Sequence, residues 1–335
     1  MQNILDFNLE ELQQELKPSF RAKQVYLWLH KKLIFNFEEM TDLPSSLRYM
    51  LGQKYHIRTP VVKKILKSRD GTKKYLFELS DANLIESVLL PSDDGRLTVC
   101  VSTQVGCPLN CAFCATGMSG FKRNLKISEI LCQIYLIAKD RPGITNIVFM
   151  GMGEPFLNYD NVVRSIRILI SKDGLNFGQR KISVSTCGIP EKIRAFADED
   201  WQVRLAVSLN STDERVRSRL MPINRRIPLT RIKDAIKYYI IKTGRRVTLE
   251  YVMLKDINDT DVALEKLIAF SHGLVTNVNL IPYNSTEGNF RASDKKTVDH
   301  FIQILVNNKI NVNLRRKRGE DILAACGQLA GKLNK

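Results

Sequence analysis

Between residues 97 and 316 the apolar positions alternate between short continuous runs and longer stripes at helical spacing. The strand-like runs lie at 97–103, 145–150, 181–186, 203–209, 246–253 and 276–282. The helical stripes fill the gaps at 127–139, 160–171, 190–198, 229–242 and 259–271. Beyond the sixth strand the pattern predicts a helix at 293–308, a strand at 310–316 and a terminal helix at 320–329. Strands alternating with helices predict an α/β fold with a parallel sheet, as a partial barrel or as an open sheet. The polar stretch 283–293 reads as a loop.

The pattern upstream is different. Residues 1–55 read as helical, with Phe20, Val25, Leu27, Trp28 and Leu29 at helical spacing and LPSS at 43–46 as a turn and helix start. From 57 to 92 the runs VVKKIL, KYLFEL and NLIESVLL read as strands, and Asp70-Gly71 between the first two is a hairpin signal. The turn Ser92-Asp93-Asp94-Gly95 divides an accessory unit, 1–95, from the β/α unit, 96–335.

Composition narrows the class. Hydrophobic residues are 44% and charged residues 26% of 335, which excludes a disordered or collagen-like chain. No apolar run approaches the roughly 18 residues of a membrane span. The opening MQNILDFNLEEL is acidic where a secretion signal is basic and then apolar, so a cytoplasmic location away from membranes is expected. Fifty-one Lys and Arg against 35 Asp and Glu leave a net charge of +16. A solvated basic surface would account for part of that excess. Clustering of Lys63, Lys64, Lys67, Arg69, Lys73 and Lys74, and the run Arg315-Arg316-Lys317-Arg318, favours nucleic acid as partner.

In a cytoplasmic chain the seven cysteines do not read as a disulfide framework. Cys107, Cys111 and Cys114 form C-x3-C-x2-C just after the first strand of the β/α unit. Structural zinc wants four ligands, and so does an electron-transfer iron–sulfur cluster. No fourth Cys or His lies nearby; Cys132 falls in an apolar helical stripe and reads as core. Three thiolates on a [4Fe–4S] cluster leave one iron open to a substrate or cofactor. Zinc, or three unrelated buried thiols, are the competing readings. Gly151-Met152-Gly153-Glu154-Pro155 follows the second strand, at the end where barrel enzymes place their sites.

The cysteine spacing, with Phe113 before the last ligand and Gly117 after it, resembles the signature of radical S-adenosylmethionine (SAM) enzymes. That resemblance implies a partial (β/α)6 barrel and a cluster whose open iron chelates SAM, to be cleaved to a 5′-deoxyadenosyl radical. CVSTQVGCPLNCAFCATG at 100–117, FKRNL at 121–125, VFMGMGEPFLN at 148–158, MPIN at 221–224, LEYVML at 249–254, NLIPYN at 279–284 and DILAACGQLAG at 321–331 resemble more specifically the adenine-C2 methyltransferases of ribosomal and transfer RNA. Relatives of that family methylate C8 of the same ribosomal adenine. Val105-Gly106, Pro155 and Arg316-Lys317-Arg318-Gly319 resemble the C2 branch.

The family resemblance implies 23S rRNA and tRNA as substrates, two SAM molecules per turnover and an external, flavodoxin-like electron donor. It implies Cys326 as the carrier of a methyl group, and Cys100 as the thiol that releases the product and leaves a transient disulfide with Cys326. Glu86 is implied as the proton acceptor, with one residue more between it and Cys100 than in relatives. SAM contacts are implied at Gly153, Glu154, Ser185, Ser208, Leu209, Asn210 and Asn284. Asn210 stands where the family has His, and it cannot titrate as His does. Reactive thiols need a depressed pKa, which the basic run 315–318 is expected to favour. A cluster-bearing RNA assembly factor without catalysis is the reading from another class.

Overall fold

The computed structural model describes residues 1–286 and 289–331; positions 287 and 288 of the expected 283–293 loop, and 332–335, lie outside the described residues. The main sheet has ten strands: β1 (Val61–Lys67), β2 (Lys73–Glu78), β3 (Leu84–Pro91), β4 (Leu97–Cys100), β5 (Asn146–Phe149), β6 (Ile182–Thr186), β7 (Arg204–Ser208), β8 (Val247–Met253), β9 (Thr276–Pro282) and β10 (Asn311–Leu314). Spatial order follows chain order from β1 to β10. Strands β1 to β4 pair antiparallel as a meander, and β4 to β10 pair parallel. Among the described residues the two edge strands do not pair, so the β/α array stays unclosed, as a partial barrel of the expected kind does.

The helices Ile127–Asp140, Tyr159–Ile170, Pro190–Asp198, Leu229–Thr243, Asp261–Ser271 and Lys295–Asn307 cross between the parallel strands, close to their expected bounds. Their ends are set locally. Pro190 sits in the first turn, Thr260 and Asp294 cap backbone N–H groups, and Gly244 closes a helix at φ +64°.

Two local expectations are corrected. No helix forms over 320–329; only the short 3-10 turn Glu320–Ile322 does. Gly319 and, in mid-segment, Leu323 take left-handed backbone (φ +64° and +51°), which breaks the helix, and the segment is tied to the barrel instead. Leu323 accepts from Lys74 Nζ (3.1 Å), Gly327 from Ala115 N (2.7 Å) and Leu329 from Thr116 Oγ1 (2.6 Å). The segment is an irregular strap laid across the barrel mouth. The second correction is an added helix, Glu214–Leu220, started by Asp213, whose carboxylate accepts from Arg215 N and Val216 N.

The N-terminal helices Leu9–Glu15, Ser19–His30 and Ser45–Lys54 dock on the outside of the barrel. Asn8 and Glu11 make a capping box, and Glu11 also binds Arg164 with both oxygens (2.6 and 2.7 Å). Ser128 N donates to Asp6 Oδ1 (2.7 Å). Apolar residues from Ile4 to Leu329 form one buried cluster, continuous across position 95. Tyr75 and Phe77 belong to that cluster, as does Cys132.

His30 sits in the docked interface, fully buried, with Nδ1 2.9 Å from the Tyr135 hydroxyl. Burial pushes its pKa down to about 3, so it is neutral in the folded state. Below its ordinary pKa the unfolded chain therefore binds a proton that the folded chain refuses, and stability falls as pH drops from about 6.5 toward about 3. Replacing His30 by Gln removes this loss. The difference in urea midpoint between wild type and His30→Gln should narrow, or reverse, from pH 7 to pH 4.5.

Candidate radical-chemistry site

The carboxyl ends of β4 to β9 surround two connected cavities. An outer cleft of ≈ 730 Å³ is lined by Cys100, Cys326 and the run Arg315–Arg318. An inner cavity of ≈ 170 Å³ is lined by Cys107, Cys111, Cys114, Gly153, Glu154, Ser185, Ser208 and Asn210. Cys114, Glu250, Asn284, Arg315 and Cys326 line both. Thus the expected cysteines and most of the expected SAM contacts meet in one place.

The three-cysteine loop leaves a short hairpin, Gln104–Gly106 paired with Phe121–Asn124. Gly106 is at φ +74°, and a side chain there would strike the Gly120 carbonyl. The loop is pinned on three sides: Cys107 N donates to Gly120 O (2.9 Å), Ala112 N to Leu220 O (2.9 Å) and Ala115 N to Gly327 O (2.7 Å). Burial pushes the Cys107 thiol up to about 12 and the Cys111 thiol well up, so metal must displace protons to bind. Among the described residues no three His, Cys, Asp or Glu stand close enough to hold a single ion. The thiols instead share the wall of one cavity, a donor set that fits the spread sulfurs of a three-thiolate cluster better than one zinc.

Opposite the loop, Gly153 is at φ +100°, and a Cβ there would run into Gln104. Glu154 is buried; its carboxylate accepts from Cys187 N (2.7 Å) and Phe156 N (3.0 Å), while burial raises its pKa. The Ser185 and Ser208 hydroxyls, on adjacent parallel strands, lie 3.2 Å apart. Asn284 donates to the Cys326 carbonyl (3.2 Å), and its buried Oδ1 has no partner among the described residues. A buried acceptor left open and polar strand ends facing a cavity fit a polar cofactor. Leu209 is fully buried and lines neither cavity.

Asn210 answers the departure from His in local terms. Its backbone is left-handed (φ +56°), a conformation Asn tolerates. Its Oδ1 accepts from Val252 N (3.0 Å) and its Nδ2 points to Met221 Sδ (3.3 Å), so the side chain is spent on the protein.

Cys100 ends β4, between Val88 and Val148. Burial, and then the neighbouring Cys326 thiol, push it up to about 12; Arg315 pulls the other way. The expected help from the basic run is therefore present but outweighed by desolvation. All seven cysteines are free thiols, so the implied pairing of Cys100 with Cys326 is absent here. Only Arg315 of the basic run turns inward, where Cys326 and Glu250 favour its charged form. Arg316 and Arg318 pair with Asp93 at the cleft mouth, and Lys317 with Glu320 (2.9 Å).

Glu86 lines neither cavity. It is two residues along β3 from Val88, a cleft residue, and the strap covers it. Its carboxylate is buried against Lys74 Nζ (2.9 Å) and accepts from Ala330 N (2.7 Å) and Gly331 N (3.1 Å). Lys74, expected in a basic cluster facing nucleic acid, is instead buried and spent on Glu86, and sequence reasoning missed Arg217 and Glu250. Glu250 had a signal, a lone carboxylate inside the apolar strand run LEYVM. It is buried, held by Asn279 Nδ2 (2.7 Å), and its pKa is raised by burial.

Residues 101–268 match the model of the radical SAM superfamily, and residues 2–57 match that of the ribosomal RNA large subunit methyltransferase N-terminal domain. The chain is 46% identical over 333 residues to a protein of Pseudothermotoga lettingae named "Probable dual-specificity RNA methyltransferase RlmN", covering 98% of this chain and 97% of that one. A protein of the same name from Clostridium novyi is 42% identical, with 98% of each chain covered. The crystal structure of a radical SAM methyltransferase from Sphaerobacter thermophilus superposes with a TM-score of 0.95 at 41% identity, over 99% of this chain and 100% of that one.

The spent side chain of Asn210 makes a prediction. Replacing Asn210 by Ala leaves Val252 N unpaired in a buried site, a loss of about 1–3 kcal/mol. Thermal unfolding of the metal-free protein should shift to lower temperature. An unchanged midpoint would mean that Asn210 serves a ligand rather than the fold.

Proposed function

This chain belongs to the RlmN family of radical SAM RNA methyltransferases, and we propose that it methylates C2 of adenine in two RNAs. These are an adenine by the peptidyl-transferase centre of 23S rRNA and the adenine following the anticodon of some tRNAs. The observation that carries the reading is the meeting of Cys100 and Cys326 in a cleft continuous with the three-cysteine cavity. C2 of adenine is not nucleophilic, so a sulfonium methyl cannot simply be handed to it. A carbon radical built on a protein-bound methyl can add there.

Cys107, Cys111 and Cys114 would hold the [4Fe–4S] cluster, and Gly153, Glu154, Ser185, Ser208, Asn210 and Asn284 would border SAM, with Leu209 buried between two of them in the chain and outside the cavity. When bound, these groups supply the electron and the 5′-deoxyadenosyl radical that abstracts a hydrogen atom from the carried methyl. Two SAM molecules serve each turnover, one as methyl donor and one as radical source, and a flavodoxin-like protein supplies the electron. Cys326 takes the methyl, its position fixed by Asn284 and by the Gly327–Ala115 bond. Once the adduct has given up one electron and its C2 proton, Cys100 attacks the Cys326 sulfur, forming a disulfide while the released methylene carbon takes up a proton to become the methyl group; an external thiol reductant then restores both cysteines. Attack requires a thiolate, so the buried Cys100 must lose its proton as the adduct forms, with Arg315 opposing the burial.

Glu86 removes the proton from the adduct. For this its carboxylate must be freed from Ala330 and Gly331, so the strap has to shift when RNA enters. The target base must leave its stack to reach the cleft. Residues 1–95 serve as the accessory RNA-binding unit, in keeping with the exposed basic strand β1, and phosphate contacts fit the positive surface. No described helix is long and apolar enough to cross a membrane, and a cytoplasmic setting with RNA is proposed.

RNA from cells lacking the protein should have lost 2-methyladenosine from the rRNA and tRNA digests read by mass spectrometry. Retention of 2-methyladenosine with loss of 8-methyladenosine would assign the C8 reaction instead.

The two cysteines separate by where the reaction halts. Cys326→Ala should carry no methyl and form no covalent complex. Cys100→Ala should accumulate cross-linked to RNA as a nuclease-sensitive band of raised mass. Normal turnover by Cys100→Ala, or a cross-link in Cys326→Ala, would reverse the assignment.

A further inference from the structure

The helix Glu214–Leu220 buries an arginine completely: Arg217 is 0% exposed. Its guanidinium donates to four neutral acceptors, Leu209 O (3.0 Å), Asn224 Oδ1 (2.7 Å), Cys187 O (2.7 Å) and, more weakly, Ser208 O (3.5 Å). The acid nearest in sequence, Glu214, is committed elsewhere, accepting from Asn224 Nδ2 (2.6 Å) and Leu229 N (2.7 Å). Among the described residues no carboxylate hydrogen-bonds to Arg217. A guanidinium cannot relieve burial by losing its proton, and a buried charge is ordinarily paired.

The surroundings indicate the missing anion. Cys107, Cys187, Leu220 and Met221 share one buried cluster, with Cys111 packed against it. Leu220 O accepts from Ala112 N (2.9 Å), inside the three-cysteine loop, so the arginine's helix is the floor of that loop. Burial opposes the charge on Arg217, and the groups placed to offset it when anionic are the Cys187 and Cys111 sulfurs, followed by Glu214.

We propose that Arg217 is the counter-charge of the iron–sulfur cluster, placed beneath its ligand loop to make the cluster easier to reduce. The inference rests on the reading that Cys107, Cys111 and Cys114 hold a cluster. A cluster bound by three thiolates is anionic, and each added electron makes it more so. A fixed positive charge in a water-excluded site stabilises the reduced form most, and net charge and exposure set such potentials. The arrangement also explains the MPIN segment. Asn224 aims the guanidinium, and Met221 receives Asn210 Nδ2, tying the same support to the end of β7.

The test is a redox titration of reconstituted protein, followed by electron paramagnetic resonance, with iron content measured in parallel. Arg217→Met should bind iron yet reduce at a more negative potential. At the wild-type midpoint its reduced-to-oxidised ratio should fall at least about tenfold, ~59 mV for one electron. Arg217→Lys keeps the charge and should stay nearer the wild type. Asn224→Asp sets a carboxylate against the guanidinium, while replacing its donor to Glu214 with a second acceptor; it should shift the potential in the same direction as Arg217→Met, and it serves if Arg217→Met does not fold. A wild-type potential in an iron-replete Arg217→Met or Asn224→Asp protein overturns the inference. So does a Lys variant shifted as far as Met, because then only the hydrogen bonds matter. Wild-type protein that binds no cluster overturns the reading beneath it instead.

Discussion

The buried pair of Lys74 and Glu86 is the interaction on which the site depends. Both side chains are nearly inaccessible, and their atoms lie 2.9 Å apart on neighbouring antiparallel strands. Each also holds the strap: Lys74 takes the Leu323 carbonyl, and Glu86 takes the Ala330 and Gly331 amides. Cys326 lies between those two anchors. Removing one partner of such a pair would leave the other charge buried alone, at about 3–5 kcal/mol. A meander that looks accessory in sequence therefore decides where Cys326 stands.

A second regularity concerns charge inside the barrel. Glu154, Glu250, Arg217 and Arg315 all lie in or beside the cavities, and burial opposes ionisation at all four, prevailing at the first three and outweighed by neighbouring groups at Arg315. Each is held by named partners: backbone amides for Glu154, Asn279 for Glu250, carbonyls and Asn224 for Arg217. In a low-dielectric interior fixed charges act strongly on whatever charge a cofactor brings. The thiols respond to the same setting. Burial outweighs Arg315 at Cys100, so the resting thiol is protonated and reactivity has to be raised by events at the site.

The meander and the parallel array also divide the labour of access. Strand β1 is exposed along nearly its whole length, with Val61, Val62 and Ile65 on the surface beside lysines. Strand β4, where antiparallel pairing changes to parallel, is buried at its end and carries Cys100 there. The cleft mouth between them bears Asp93 with Arg316 and Arg318, so some of the basic run is neutralised locally. Positive charge on this chain is therefore a property of the whole surface more than of that one segment.

Much of this was legible in the residues. Periodicity gave six parallel strands and their helices almost to the residue, because each element buries its own apolar stripe. The cysteine spacing and the long collinear motifs pointed to the chemistry, since ligands on one short loop must be near each other. What failed was non-local. The 320–329 stretch has helical composition, but Leu323 turns left-handed within it and the strap is tied to Lys74, Ala115 and Thr116, up to 249 residues away in sequence. Arg217 reads as one more surface arginine until the loop above it and the strand ends beside it close around it. The sequence by itself determined the elements, the ligand loop and the family. Only the tertiary structure decided which charges are buried, which thiols meet and what covers Glu86, because desolvation and long-range hydrogen bonds exist only once distant segments have excluded water together.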